Sequence, residues 1–173
     1  MNTVELTQYA LGNAFSILDQ VVSDLTQEQA DWRPPGIANP IGATYWHTIS
    51  SVDDIVHSWL REEAPLRQTA GWQEQVLTAS VPEPAEGEDV LAYMREVRVD
   101  LALLHAYSKV VAEAVQAWLA SLKPEELERK FQTPIGELSV DQVLETFIIW
   151  HVNAHCGEIA TLKGCQGVKG YPF

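Results

Sequence analysis

Residues 139–164 read SVDQVLETFIIWHVNAHCGEIATLKG, and their pattern decides between a helical and a stranded chain. Ser139 and Gln142 have the spacing of a capping box, in which side chains satisfy the orphan amides of a helix start. Gly164 supplies a natural stop, so the stretch predicts one helix over 140–164. Three-and-four periodicity draws a stripe through Val140, Leu144, Phe147, His151, His155, Ile159 and Leu162. Two imidazoles therefore fall where burial is expected. A residue four positions on is turned by only about 40° and raised by one turn, so both rings can meet one point in front of the helix. Burying them without partners costs several kcal/mol; a bound cation would offset that.

Outward from this helix the same periodicity recurs. Leu6, Ala10, Ala14, Ile17, Val21 and Leu25 mark a first helix over about 4–24, with Thr3 as its cap. Thr26 and Gln29 form another capping box, for a short turn that ends at Pro34, Pro35 and Gly36. Asn39 and Pro40 predict the cap and first residue of a second long helix running toward Pro65. Met94, Val97, Leu101, Leu104, Ser108, Val111, Val115 and Trp118 step along one face of a third, about 45 Å long if straight. A loop containing TPIGE separates it from the fourth.

Between Pro65 and Glu88 the chain is mixed, with proline, glycine and acid concentrated in SVPEPAEGED, and it reads as a long crossover. Four amphipathic helices without alternating strands predict an all-α fold. The expected form is a four-helix bundle with a long crossover between helices two and three; the pattern alone leaves other helical arrangements open. At 173 residues the chain is expected to form a single domain over 1–173.

No apolar run approaches the roughly 18 residues of a membrane span, so no membrane partner is expected. The first residues lack the basic start and small-residue cleavage site of a signal peptide, which predicts a cytoplasmic protein. Eleven Lys and Arg against 24 Asp and Glu give a net charge of −13, which repels phosphate backbones and argues against nucleic acid as a partner. The chain has no Gly-x-Ser-x-Gly elbow and no phosphate-binding Gly-rich loop ahead of a helix. HVNAH lacks the glutamate that a zincin peptidase uses as its base, and no Glu-x-x-His pair exists to build a di-iron carboxylate site.

A third imidazole comes from the second helix. His47 has Ala43, Thr44, Ser50, Ser51 and Asp54 for neighbours on its face, small or polar residues that leave room for a cavity. His57 lies ten positions later, rotated off that face, and is expected to be exposed; His105 borders the stripe of the third helix and is expected to stand apart. The expected metal ligands are thus His47, His151 and His155. Glu158 and Asp54 are the candidate catalytic residues, as carboxylates able to shuttle a proton. Cys156 and Cys165 lie about 13 Å apart along one helix, on opposite faces, and cannot pair with each other. Cys156, beside His155, reads as a small buried residue in preference to a thiolate ligand or nucleophile.

These residues carry a family likeness. LTQEQADWRP, His47 early in the second helix, TPIGELSVDQVLE and HVNAHCGEIATLKGCQGVKGYPF together resemble the DinB-like (YfiT-like) superfamily over nearly the whole chain. The last segment is the most specific, since a His-x-x-x-His pair followed by Gly-Glu-Ile and a Gly-rich ending recurs in that family. The resemblance implies a four-helix bundle holding a divalent metal ion, nickel or zinc in different members, on a histidine triad that maps onto His47, His151 and His155. It further implies a homodimer and a small-molecule thiol or electrophile as partner, because characterised relatives include thiol-dependent S-transferases and metal-dependent isomerases. The reading that follows is a metal-dependent thiol S-transferase or hydrolase; the alternative is a non-catalytic, metal-stabilised stress or binding protein. Many members carry Gln where this chain has Glu158, so three roles stay open to it: an acceptor behind a ligand, a base, or a fourth ligand.

Overall fold

Asn2, one residue earlier than the sequence predicts, starts the first helix. Its side chain accepts from the Glu5 amide, and the Glu5 carboxylate accepts from the Asn2 amide, both at 2.9 Å. This is a complete capping box with an acid in the first turn, which also suits the positive end of the helix dipole. The computed structural model describes residues 2–79 and 90–173. Its helices are α1 (Thr3–Val22), α2 (Gln27–Asp31), α3 (Ile41–Asp54), α4 (Leu66–Thr69), α5 (Trp72–Val76), α6 (Val90–Glu96), α7 (Leu101–Ser121), α8 (Val140–Leu144) and α9 (Trp150–Cys165). A π-helical turn, Ile55–Leu60, extends α3, and another, Glu145–Ile149, joins α8 to α9 into one continuous rod. The fold is all-α in character.

The boxes at Thr26–Gln29 and Ser139–Gln142 form as their spacing predicts. Asn39 does not cap α3; Pro40 occupies that position and the helix begins at Ile41. The predicted stop at Gly164 falls slightly early, since α9 runs on to Cys165 and the left-handed turn is made by Gly167 at φ 75°. The TPIGE loop is the turn of a small antiparallel hairpin, β1 (Lys130–Thr133) with β2 (Gly136–Ser139), pairing Lys130 with Ser139 and Thr133 with Gly136. Period-two patterning over four residues is too short to stand out in sequence.

Packing centres on four long segments. α1 lies against α7 and α9, and α3 lies against the same two. Leu11, Leu18, Ile49, Val52, Leu104, Val111, Leu144 and Ile159 are fully or almost fully buried between them. Lys163, 2% exposed on α9, reaches back to the end of α1, where its ammonium donates to the Val21 carbonyl at 2.6 Å and to the Asp24 carboxylate.

The expected third helix is broken. α6 and α7 flank an extended stretch at Val97–Asp100, where Val99 forms a β-bridge with Leu77, and Asp100 then caps α7 by accepting from the Leu103 amide at 3.0 Å. The apolar period continues through the break because Met94, Val97 and Leu101 are all buried at three- and four-residue spacing, which is why sequence spacing reads it as unbroken. α4 and α5 occupy the first part of the predicted crossover; its SVPEPAEGED portion, residues 80–89, falls outside the described residues, and α6 follows from Val90. Among the described residues, no helix is long and apolar enough to cross a membrane.

Candidate metal centre

α3 is buried on most of its circumference, with Ile41, Ala43, Thr44, Tyr45, Trp46, Thr48, Ile49, Val52 and Asp53 all inside. The strip left partly open is His47, Ser50, Ser51 and Asp54, spaced three and four apart. Ala43 and Thr44, expected beside the cavity, instead face the core.

On the facing rod the π turn resets the helical phase. Its wider turn makes Trp150 donate to the Glu145 carbonyl, five residues back, and thereby inserts one residue into the repeat. The fully buried stripe runs Leu144, Ile148, Val152, Cys156 and Ile159. His151 and His155 therefore stand one position off that stripe, half-buried, in the groove toward α3. The spacing of the two histidines was legible, but their depth was not.

The three imidazoles meet across this groove. Ring centroids are 5.1 Å apart for His47–His151 and for His47–His155, and 4.5 Å for His151–His155, with each pair close to perpendicular. His47 Nε2 lies 3.2 Å from His151 Nε2. One nitrogen from each ring can be chosen so that all lie within 4.8 Å of one another. Metal–nitrogen bonds of about 2.0–2.1 Å place neighbouring donors roughly 3.0–3.4 Å apart, so the His47–His151 spacing fits a shared cation.

The protonation states fit as well. Burial, followed by the neighbouring His155, lowers the His47 pKa. Burial, then His155 and His47, pushes His151 down to about 3. Neutral rings with lone pairs are the form a cation needs. His155 Nδ1 is 2.8 Å from Glu158 Oε2, which directs its Nε2 toward the other two rings. The hydrogen bond from His155 holds the Glu158 carboxyl below its usual range, against the opposing effect of burial. His47 Nδ1 lies 3.4 Å from the Ser51 hydroxyl, while His151 Nδ1 is buried with no partner among the described residues.

A cavity of about 280 Å³ opens beside His47. Ser50, Ser51 and Asp54 line it from α3, and Trp46, Tyr93 and Met94 form an apolar wall. Arg67 closes one side, with its Nε 2.8 Å from Asp54 Oδ1. Asp54 is thus at the cavity but engaged by a guanidinium, whereas Glu158 is engaged by His155. Sequence reading did not single out Arg67, Trp46 or Tyr93, and gave Met94 only as part of an apolar stripe; Arg67 belongs to the crossover and Tyr93 and Met94 to α6, whose placement over α3 no local pattern encodes.

His57 is not exposed. At 3% exposure it pairs through Nδ1 with Asp53 Oδ1 at 2.8 Å, because α4 and α7 cover the side of α3 turned away from His47. Asp53, fully buried, also accepts from Tyr107 Oη at 2.6 Å and from the amides of Leu66 and Arg67 at 3.0 and 2.7 Å. His105 stands apart as expected, in a groove between α1 and α7 where its Nδ1 is 3.4 Å from Tyr45 Oη. Cys156 is buried at 2% and Cys165 exposed, both free, and burial pushes the Cys156 thiol up and away from thiolate character.

Comparison with known proteins agrees with this architecture. A crystal structure described as the conserved protein of a locus from Enterococcus faecalis superposes with a TM-score of 0.76 over 94% of this chain and 96% of that one, at 20% identity, a likeness of fold. No curated protein matches the chain significantly by sequence. Residues 10–159 match the DinB superfamily, and the chain belongs to that family.

Proposed function

We propose that the protein is a divalent-metal-dependent enzyme, a thiol S-transferase or hydrolase, acting at His47, His151 and His155. The observation that carries this reading is the convergence of three imidazoles from two helices beside a cavity, with a carboxylate behind one of them. A divalent cation, nickel or zinc, held by these three rings would supply Lewis acidity and would lower the pKa of a water or thiol. Glu158 keeps the His155 ring in one tautomer and orientation. Ser51 stands behind His47 in the same way, more loosely. Glu158, beside the histidines, and Asp54, farther along the cavity wall, are the carboxylates proposed to move a proton, and the Trp46, Tyr93 and Met94 wall excludes water from the apolar part of a substrate.

The same proposal takes residues 1–173 as one domain, a four-helix bundle with a long crossover, acting as a cytoplasmic homodimer on a small-molecule thiol or electrophile. Metal content measured on chain purified without chelator, followed by thiol-consumption and ester-hydrolysis panels on the loaded protein, tests it. Turnover lost in His151→Ala supports the reading; absence of any turnover above that variant overturns it.

A non-catalytic reading has one observation in its favour. The three rings come from α3 and from α9, so a cation would staple two long helices. On that reading metal removal lowers stability and abolishes no reaction.

A further inference from the structure

A second cavity, of about 730 Å³, opens between α1 and α7 and shares no lining residue with the one beside His47. Its size is that of a small-molecule site. Gly12 on α1 and Ala106 and Ala112 on α7 leave the space that larger side chains would close. A Cβ added at Gly12 would meet only the Gln116 amide nitrogen, at 3.2 Å. Buried Phe15 lines the same space.

The two helices run antiparallel along it. At one end Gln116 donates to the Gln8 carbonyl at 3.2 Å. At the other, Ser16 and Asp19 of α1 come to His105 and Ser108 of α7. Burial lowers the His105 pKa, which keeps the ring neutral, and the Asp19 charge opposes that fall, which sets the carboxylate near the imidazole. His105 Nδ1 is 3.4 Å from Tyr45 Oη, itself hydrogen-bonded to Ser108, so Nε2 is the nitrogen left for a ligand. Asp19 is exposed and makes no hydrogen bond or ion pair among the described residues. Lys109 and Glu113, at the rim, pair at 3.9 Å and largely offset each other. The cavity therefore carries one uncompensated negative charge at its polar end, on a chain whose net charge of −13 draws cations and repels anions. Asp19 follows Gly12 by seven residues, two helical turns or about 10 Å. A cation with an apolar body matches this layout, and an ammonium group brings donors for a carboxylate, a hydroxyl and an imidazole nitrogen together.

We propose that the α1–α7 cavity binds a small organic amine, whose ammonium sits between Asp19 and His105 and whose apolar body lies along Phe15 and Ala112 toward Gly12. The site is independent of the histidine triad and of the function proposed there.

Calorimetric titration of the full chain with 4-phenylbutylamine, neutral 4-phenylbutanol and anionic 4-phenylbutyrate tests it. The amine should bind roughly tenfold or more tighter than the alcohol, and the acid weakest. Asp19→Asn should bring the amine down to the alcohol's affinity and leave the alcohol unchanged; Ala112→Phe, which fills the apolar end, should weaken both. Asp19→Asn, at an exposed position, decides the question if Ala112→Phe does not fold. Zinc-loaded wild type, chelator-stripped wild type and His151→Ala should all show the same preference. Equal binding of amine and alcohol by the wild type overturns the proposal, as does a preference that survives Asp19→Asn. A loss of equal size in Glu125→Gln, an exposed acid elsewhere, would assign the effect to the general field of the chain and overturn it too. A preference that appears only with zinc would put the amine on the metal, and an affinity that falls as chain concentration rises would mean that a second copy closes the groove; either result rejects the site.

Discussion

Glu158 lies one turn beyond His155 on α9, and its Oε2 is 2.8 Å from His155 Nδ1. That contact makes one imidazole of the three directional: its remaining nitrogen must face His47 and His151. Replacing Glu158 by Ala should weaken metal binding by roughly 10–100-fold, read by competition with a chromophoric chelator. Glu158→Gln keeps an acceptor oxygen within reach and should lose much less. Equal losses in the two variants would mean that the carboxylate's charge, not its acceptor, matters.

The metal-free chain should be acid-sensitive through the same cluster. Burial holds the His47 and His151 pKa values below the ordinary 6.5 of histidine, His151 at about 3. The unfolded chain therefore binds more protons between those limits, and stability is full above pH 6.5 and falls as pH drops toward 3. The difference in urea midpoint between His151→Gln and wild type should shift in favour of the variant as pH falls from 7 to 4, because glutamine takes up no proton on unfolding. A pH-independent difference would remove His151 from this account.

The Asp53–His57 pair has its own window. Burial raises the Asp53 pKa, but hydrogen bonds from His57, Tyr107 and two amides overcome this and leave it below 3.8; that contribution is lost as pH falls through the folded value. Asp53 in turn raises His57 above 6.5, a contribution complete below 6.5 and lost as pH rises through the folded pKa. His57→Gln should therefore be more destabilising at pH 5.5 than at pH 9. Tyr107→Phe, which strips one donor from buried Asp53, should cost about 1–3 kcal/mol by urea titration.

Gly170 tests the docking of the C-terminal tail on α9. A Cβ there would lie 2.5 Å from the Ala160 carbonyl oxygen, a backbone atom that cannot step aside. Gly170→Ala should lift the tail and increase protease cleavage after Lys169, with little change in helix content by circular dichroism.

Much of this was legible in sequence, and the exceptions share a cause. The Thr26–Gln29 and Ser139–Gln142 boxes are local, so residue type and spacing predict them. His47, His151 and His155 could be grouped because two of them share a helix face and the third lies on a strip of small and polar neighbours. His57 could not be placed, since its burial depends on α4 and α7, which cover a face that carries an Asp and a His. Arg67 escaped for the same reason. The break at Val97–Asp100 was hidden because buried Met94, Val97 and Leu101 keep the helical spacing while the backbone leaves the helix.

The two π turns sit at one level of the helix pair, where Trp59 meets Phe147 edge to face at 5.8 Å between ring centroids. Each replaces ordinary four-residue amide bonding by wider, less favourable closure on the side of the groove below the histidines. The floor of the site is thereby its least securely latched part. Amide hydrogens at Arg61 and Trp150, which close those turns, should exchange with solvent faster than those of Val152–Cys156 one turn above, so the helix pair breathes from beneath the site while the imidazoles stay in place.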